Sequence, residues 1–340
     1  MSNQQTYPSL LADIGGTNAR FCLETAPGEM CAAMVYPCSA YEQLGDAISA
    51  YLNEPAAAAA GSMRVRRAGI AIANPVDGDK VKMTNHHWSF SIQAMQQQLA
   101  LDQLLVVNDF KALAMALPVL EPAQKMQIGA GRAKENSVIG LLGAGTGLGV
   151  SALVPHGSQW LALDSEGGHV SFSPGNELES FILNYAWRIH SHVSAERLLS
   201  GIGLDIIYYA LAAREGNQAE PLTVTAIIQR ALDRQSDLCV RTLTCFCDML
   251  GTAAGNLAVT LGAKGGIYIG GGIVPRLGRF FAESGFRRRF EEKGRFSEYL
   301  QQIPTYVVTA EYPTFIGVSA MLAQDQPIER QRGRADAKLD

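Results

Sequence analysis

No apolar run in this 340-residue chain reaches the ~18 residues that a membrane helix needs, so no membrane partner is expected. No signal-peptide pattern precedes the first apolar segment, and a cytoplasmic location is the expectation. Cysteine is scarce and unpaired in pattern. Cys22, Cys31, Cys38, Cys239, Cys245 and Cys247 form no C-x-x-C, and no histidine stands at zinc-ligand spacing from Cys245 and Cys247. His190 and His192 likewise have no carboxylate or cysteine placed to complete a metal site. Reduced core thiols are the simpler reading. A large excess of one charge is also missing. The formal net charge is −4, and the only tight basic run, Arg287-Arg288-Arg289, lies between Phe286, Phe290 and the acidic Glu291-Glu292. That run reads as a solvated helix face, and no nucleic-acid partner is expected.

What is present is glycine at turns and an ample apolar core. Hydrophobic residues make up 47% of the chain and charged residues 18%, and the length suits two domains. Leu11-Ala12-Asp13-Ile14 runs into Gly15-Gly16-Thr17-Asn18, and a second strand, Ala19 to Glu24, leaves at once. No helix follows, so this is a β-hairpin and not a P-loop or dinucleotide fingerprint. Glycines at the turn let backbone N–H groups face an anion. A carboxylate beside such a turn fits phosphate only with Mg²⁺ between them. The device recurs: strand Val138 to Leu142, turn Gly143-Ala144-Gly145-Thr146-Gly147, strand Leu148 to Val154. Two copies in two halves suggest one nucleotide held by two related domains.

Strands and helices alternate elsewhere. Arg67 to Ala73 and Leu104 to Val107 read as strands with a helix, Trp88 to Leu101, between them. Ala56 to Ala60 reads as a helix end or surface loop. Pro118, Pro122 and the polar Lys125–Asn136 stretch mark a change of unit. Helical patterns follow near Glu177–His192, Gly203–Arg214 and Thr223–Leu261. Ile267 to Ile269 is a short strand ending in Gly270-Gly271-Gly272, with Pro275 at a helix start. Tyr306 to Thr309 is a late strand, Phe315 to Leu322 a closing helix, and residues 1–8 and those after about Asp325 are polar ends.

Three polar groupings can carry chemistry. Asn108-Asp109 ends a strand, where ligands bind in open α/β sheets. The pair can orient a hydroxyl and take its proton, or it can cap a helix beginning at Lys111. In Glu166-Gly167-Gly168-His169, two glycines let a carboxylate and an imidazole converge on a small polar ligand. Glu196 alone reads as a helix-start carboxylate. Gly270-Gly271-Gly272 offers flat backbone to a base or ribose, with Gly251 and Gly255 on the preceding helix allowing close approach.

Together these motifs resemble the bacterial glucokinase family, within the actin/hexokinase/Hsp70 ATPase superfamily. The matching segments are Ala12 to Arg20, Ala73-Asn74-Pro75-Val76, Met83-Thr84-Asn85-His86, Asn108-Asp109-Phe110, Gly143 to Gly149, Glu166 to Val170, Ala195-Glu196-Arg197 with Ser200-Gly201, and Gly270 to Gly272. The resemblance implies two actin-like ATPase (ribonuclease H-like) α/β domains around a central cleft. The expected small domain is 1–119 with 310–330, the large one 120–309, and 331–340 a polar tail. It implies ATP-dependent phosphorylation of glucose at the 6-hydroxyl, with Asp109 as base and Asn108, Glu166, His169 and Glu196 as sugar contacts. ATP would be held by Ala12, Asp13, Ile14, Gly15, Gly16 and Thr17, by Gly143, Gly145, Thr146 and Gly147, and by Gly270, Gly271 and Gly272. Asp13 would hold Mg²⁺ through water. A homodimer is what the family suggests. Ser171 and Ile202 depart from common family residues at positions without an expected contact. The segment Ser171 to Glu179 has no cysteine, so the structural zinc of the related repressor/kinase class is not expected. Kinases of other hexoses and a catalytically silent, sugar-responsive regulator share the same pattern.

Overall fold

The computed structural model describes residues 7–84 and 86–324. Asn85, the first six residues and the polar segments expected at 325–330 and 331–340 lie outside them. The described chain forms two compact units, 7–108 with 318–324 and 109–317.

In the first unit, Ser9–Ile14 (β1), Asn18–Ala26 (β2) and Glu29–Pro37 (β3) form an antiparallel meander. Leu44–Leu52 (α1) and Pro55–Ala59 (α2) follow. The alanine-rich stretch is thus a helix, because Pro55 supplies a preset φ in its first turn. Arg67–Ile72 (β4) lies parallel to β1 and is buried along its whole length, as an inner parallel strand should be. Lys80–Lys82 (β5) pairs with Ser89–Ser91 (β6), and Ile92–Gln98 (α3) leads to Gln103–Asn108 (β7), parallel to β4. The helix expected from Trp88 therefore begins only at Ile92. Ser91 accepts the Ala94 N–H at its N-cap, and Trp88 is buried with its Nε1 donating to the Tyr41 carbonyl, 3.1 Å away. The sheet order is β3-β2-β1-β4-β7.

The second unit starts with Asp109–Ala116 (α4). Lys125–Ile128 (β8) is an edge strand, so the expected polar linker contributes to a sheet. Ile139–Ala144 (β9), Leu148–His156 (β10) and Gln159–Leu163 (β11) form a second antiparallel meander. Helices Glu177–Ala186 (α5), Ala195–Leu198 (α6), Gly201–Arg214 (α7), Val224–Leu232 (α8) and Asp237–Leu261 (α9) come next. The stretch Thr223–Leu261 is thus two helices. Arg234 takes a left-handed φ of 54°, and the Ser236 hydroxyl accepts the Cys239 N–H to start α9. Ile267–Gly270 (β12) is parallel to β9. Short helices Val274–Leu277 (α10), Arg279–Ala282 (α11), Phe286–Glu291 (α12) and Ser297–Gln301 (α13) precede Thr305–Val308 (β13), parallel to β12. The order β11-β10-β9-β12-β13-β8 repeats that of the first sheet and adds β8. The two Gly-Thr turns thus occupy the same topological place, between the first two strands of each meander.

Pro313–Gln324 (α14) closes the chain. Its second half packs in the first unit: Val318 and Leu322 fill the space over Gly69, Ser319 donates to buried Glu24 at 2.6 Å, and Arg67 donates to the Leu322 carbonyl. α4 packs on β10 and β11 in the second unit.

Two expectations are corrected here. Arg287-Arg288-Arg289 is not a solvated face. Arg289 is buried against Glu179 at 2.8 Å, and Arg287 donates to the carbonyls of Leu300, Gln301 and Ile303; only Arg288 is well exposed. Gly251 and Gly255 admit helix α12 and not a nucleotide. A Cβ on them would stand 2.2 Å from the Phe286 oxygen and 2.6 Å from the Phe290 oxygen.

Candidate active site

The first Gly-Thr turn is fixed by its own carbonyls. Gly15 N–H donates to Asn18 O at 2.9 Å, Cys38 N–H to Thr17 O at 2.8 Å, and Ala73 N–H to Ile14 O at 2.9 Å. These hydrogen bonds engage the turn's oxygens from behind. Asp13 and Arg20 are cross-strand partners in the β1–β2 register, and their side chains meet at 3.1 Å. Burial holds the Asp13 carboxyl above the usual carboxylate range, against the opposing pull of Arg20.

In the second unit, Gly145 N–H donates to Gly147 O at 2.8 Å, and Gly201 N–H at the start of α7 donates to Gly145 O at 2.9 Å. Ile273 N–H donates to Ala144 O at 3.1 Å, which ties the β12–α10 turn to the hairpin. Gly271 has φ +81°, and a Cβ there would lie 2.3 Å from Ala144 O, so this position requires glycine. The structure therefore brings Gly143 to Gly147 and Gly270 to Gly272 together.

Asn108 is the last residue of β7, and Asp109 the first of α4. Asn108 Nδ2 donates to Asn74 O at 3.4 Å, while Asn74 Oδ1 accepts both the Thr84 N–H (2.9 Å) and the Thr84 hydroxyl (2.8 Å). Asp109 Oδ1 accepts the Phe110 N–H at 2.8 Å. The helix starts at Asp109, two residues before the expected Lys111, so Asn108 and Asp109 stand at its N-terminus. Lys111 instead reaches Asp164, 2.9 Å away.

Sequence reasoning passed over two positioning residues. Phe110 lies over the glycine pair Gly143 and Gly149, which face each other across β9 and β10, and a Cβ on either would stand 2.3 Å from its ring. That cross-strand glycine pair is the signal that a large side chain must enter there. Buried Asn74 joins the Thr84 and Asn108 segments, and it was visible only as part of a motif.

Glu166, Gly167, Gly168 and His169 form a short helical turn after β11. Gly168 has no alternative, since a Cβ would lie 2.0 Å from Leu148 O. His169 Nε2 stands 3.8 Å from Glu166 Oε2, and its Nδ1 stands 3.9 Å from Glu196 Oε1. Glu196 Oε2 accepts the Leu148 N–H at 3.0 Å. Two carboxylates and one imidazole thus gather beside the second Gly-Thr hairpin, offering several acceptors and a donor to a polyhydroxylated ligand. Glu196 is in the first turn of α6, whose N-cap is Ser194, but its side chain turns to the hairpin.

Among the described residues, no three His, Cys, Asp or Glu side chains gather as a metal cluster. Asp13 is a single hard oxygen donor beside a phosphate-type turn. That suits Mg²⁺, which keeps its waters and is completed by substrate phosphates.

The glucokinase family model matches residues 10–325. The chain is 58% identical to "Bifunctional protein glk" of Burkholderia thailandensis, over 98% of this chain and 51% of that one. It thus spans about half the length of the first curated relatives it matches. It is 51% identical to "Glucokinase" of Chromobacterium violaceum, over 94% of this chain and 90% of that one. The crystal structure of a glucokinase from an Antarctic psychrotroph superposes with a TM-score of 0.85 at 39% identity, covering 94% of this chain and 100% of that one.

Proposed function

The chain belongs to the glucokinase family, and from that premise we propose that it transfers the γ-phosphoryl group of ATP to the 6-hydroxyl of glucose. The observation that carries this reading is the hydrogen bond from the Leu148 N–H to Glu196 Oε2, 3.0 Å. It ties a carboxylate that would read sugar hydroxyls to the strand leaving the phosphate turn. This part of the second unit would then help to position both donor and acceptor substrates, and positioning is most of what phosphoryl transfer requires.

Asp109 acts as general base in this reading and takes the hydroxyl proton as the O–P bond forms. Its place at the start of α4, with Phe110 wedged over Gly143 and Gly149, fixes it relative to the hairpin. Asn108, Glu166, His169 and Glu196 hold the sugar hydroxyls. A site built to bond hydroxyls rejects analogues that lack them, because its own polar groups are then left unpaired. The turns at Gly15 to Thr17 and Gly143 to Gly147 would offer the phosphates their threonine hydroxyls and those N–H groups not already donating to Asn18 O and Gly147 O, and Gly270 to Gly272 would back the nucleoside. Asp13 would hold Mg²⁺ through water, and the ion supplies charge neutralisation on the phosphates. No zinc is required.

A coupled ADP-release assay tests the proposal. Glucose with MgATP is expected to turn over faster than mannose, fructose or an N-acetylhexosamine. Asp109→Asn should cost about 10²–10⁴ in kcat. Faster turnover of another hexose would reassign the substrate. No ADP release with any sugar would leave the regulator reading. A variant retaining more than about a tenth of wild-type kcat would remove Asp109 from the chemistry.

A further inference from the structure

The face of the second sheet opposite α4 carries a cavity that the proposed catalysis does not use. Side chains alternate across a strand, so with Gly143 and Gly149 facing Phe110, their neighbours Leu142, Leu148 and Val150 face the other way. There they line a partly open cavity of about 280 Å³, together with Ala253 and Leu257 of α9 and the segment around Gly167 and Val170. A second cavity of about 260 Å³ shares Ser173, Thr252 and Asn256 with the first and is polar.

Its polar end has donors to spare. Arg289 is 6% exposed. Its Nη2 donates to Glu179 Oε1 and to Thr252 Oγ1, both at 2.8 Å, and its Nε donates to Thr252 Oγ1 at 3.1 Å. Among the described residues its Nη1 meets only Glu292 Oε2, 3.9 Å away. Lys293 lines the same cavity and forms no ion pair among the described residues. Burial lowers its ammonium pKa and Arg289 lowers it further, while the adjacent Glu292 carboxylate partly opposes both. The nearby carboxylates are engaged: Glu179 by Arg289, and Glu292 by Arg288 at 3.4 Å. Lys293 thus has no ion-pair partner among the described residues, and the Glu292 carboxylate that lines the same cavity offsets only part of its positive surroundings.

We propose that the two cavities form one binding site for a carboxylate-headed amphiphile, with its chain against Leu148, Val150 and Leu257 and its head on Arg289 Nη1 and Lys293 Nζ. A methylene takes about the volume of a water, ~30 Å³, so the apolar cavity holds a chain of roughly eight carbons. Ser165, Gly167 and Val170, which line it, alternate along the chain with Glu166 and flank His169. Filling the cavity therefore restrains the segment that carries both residues. This goes beyond the kinase reading, and its test does not depend on turnover.

Octanoate is the probe, titrated calorimetrically into the whole protein, with octanol and acetate as controls. A hydrogen bond to a charged group contributes about 1.5–3 kcal/mol, so octanoate is expected to bind about tenfold or more tightly than octanol, with acetate weaker still. Lys293→Met should lose about tenfold toward octanoate and nothing toward octanol. Ala253→Trp fills the cavity and should lose both. Bound octanoate should slow backbone hydrogen exchange at 165–171. Equal affinity for octanol and octanoate would overturn the head-group contact, as would a Lys293→Met protein that binds octanoate like wild type. A folded Ala253→Trp protein with wild-type affinity would overturn the placement of the chain. No heat at about 10 mM octanoate would overturn the site itself, and unchanged exchange at 165–171 would overturn its link to the sugar segment.

Discussion

At the scale of single residues, the fold works against the ionised form of Asp13. Its carboxyl is held above the usual carboxylate range by burial, with Arg20 at 3.1 Å only partly offsetting this. A carboxyl whose pKa is raised on folding favours the protonated fold. Its contribution is fully present below the unfolded value, about pH 4, and is lost as pH rises through the folded value. Ionising Asp13 within the fold therefore costs stability as pH rises. Asp13→Asn removes that cost, and because Arg20 is more than a third exposed, losing the ion pair costs little. The variant is expected to melt higher than wild type at pH 7, with the difference vanishing toward about pH 3, while Mg²⁺-dependent turnover falls. Calorimetric melting at both pH values checks it; a lower Tm at pH 7 would mean that the Arg20 pair outweighs burial. Glu166, His169 and Glu196 differ in kind, because they sit in or beside turns that glycine alone permits. Gly168 makes that plain, with a Cβ position 2.0 Å from a backbone oxygen.

At the scale of elements, the sequence was most legible where a local rule decides the structure. Both Gly-Thr hairpins, the strand ending in three glycines and the Pro275 helix start stand where their turn chemistry puts them. Asn108 and Asp109 fall at a strand end for the same reason. The misreadings came where tertiary contacts or a single cap override a pattern. Periodicity runs through Thr223–Leu261, but Ser236 restarts the helix; Trp88 has a helical neighbourhood, but Ser91 delays it. No local pattern tells that Arg289 is buried, because its partner Glu179 is distant in sequence. Gly251 and Gly255 belong to this class: their spacing signalled a close approach, but not whose. The structure assigns it to α12, where the backbone of Phe286 and Phe290 lies against α9. Gly251→Val would push the two helices apart, a strain of about 1–3 kcal/mol. The expected result is a lower denaturation midpoint with the glucose KM unchanged. A midpoint within error of wild type would show that α12 shifts freely, and a raised KM would show that this contact also shapes the sugar segment.

At the scale of the whole molecule, the chain builds two cores and crosses between the units twice, at 108–109 and 317–318. The first crossing separates Asn108 from Asp109, whereas Glu166, His169 and Glu196 all belong to 109–317. A ligand read by these residues stabilises whatever unfolds with them. Linkage gives its size: at a hundredfold excess over Kd, glucose adds about 2.7 kcal/mol. For a unit of this size, 1 kcal/mol moves Tm by about 2–4 °C, so glucose should raise the transition by about 5–10 °C. Asp109→Asn should keep nearly all of that shift while losing turnover, since a base that takes a proton in the transition state is not needed to hold the ground state. Glu166→Gln and His169→Ala should lose most of the shift with glucose and keep the shift seen with an unreactive ATP analogue. The pairing of readouts decides between roles. An Asp109→Asn protein with its apo Tm intact but no glucose shift would make Asp109 a sugar-binding residue first. Equal loss of both ligand shifts in the Glu166 and His169 variants would mean that the turn holds the fold of the unit and does not read the sugar.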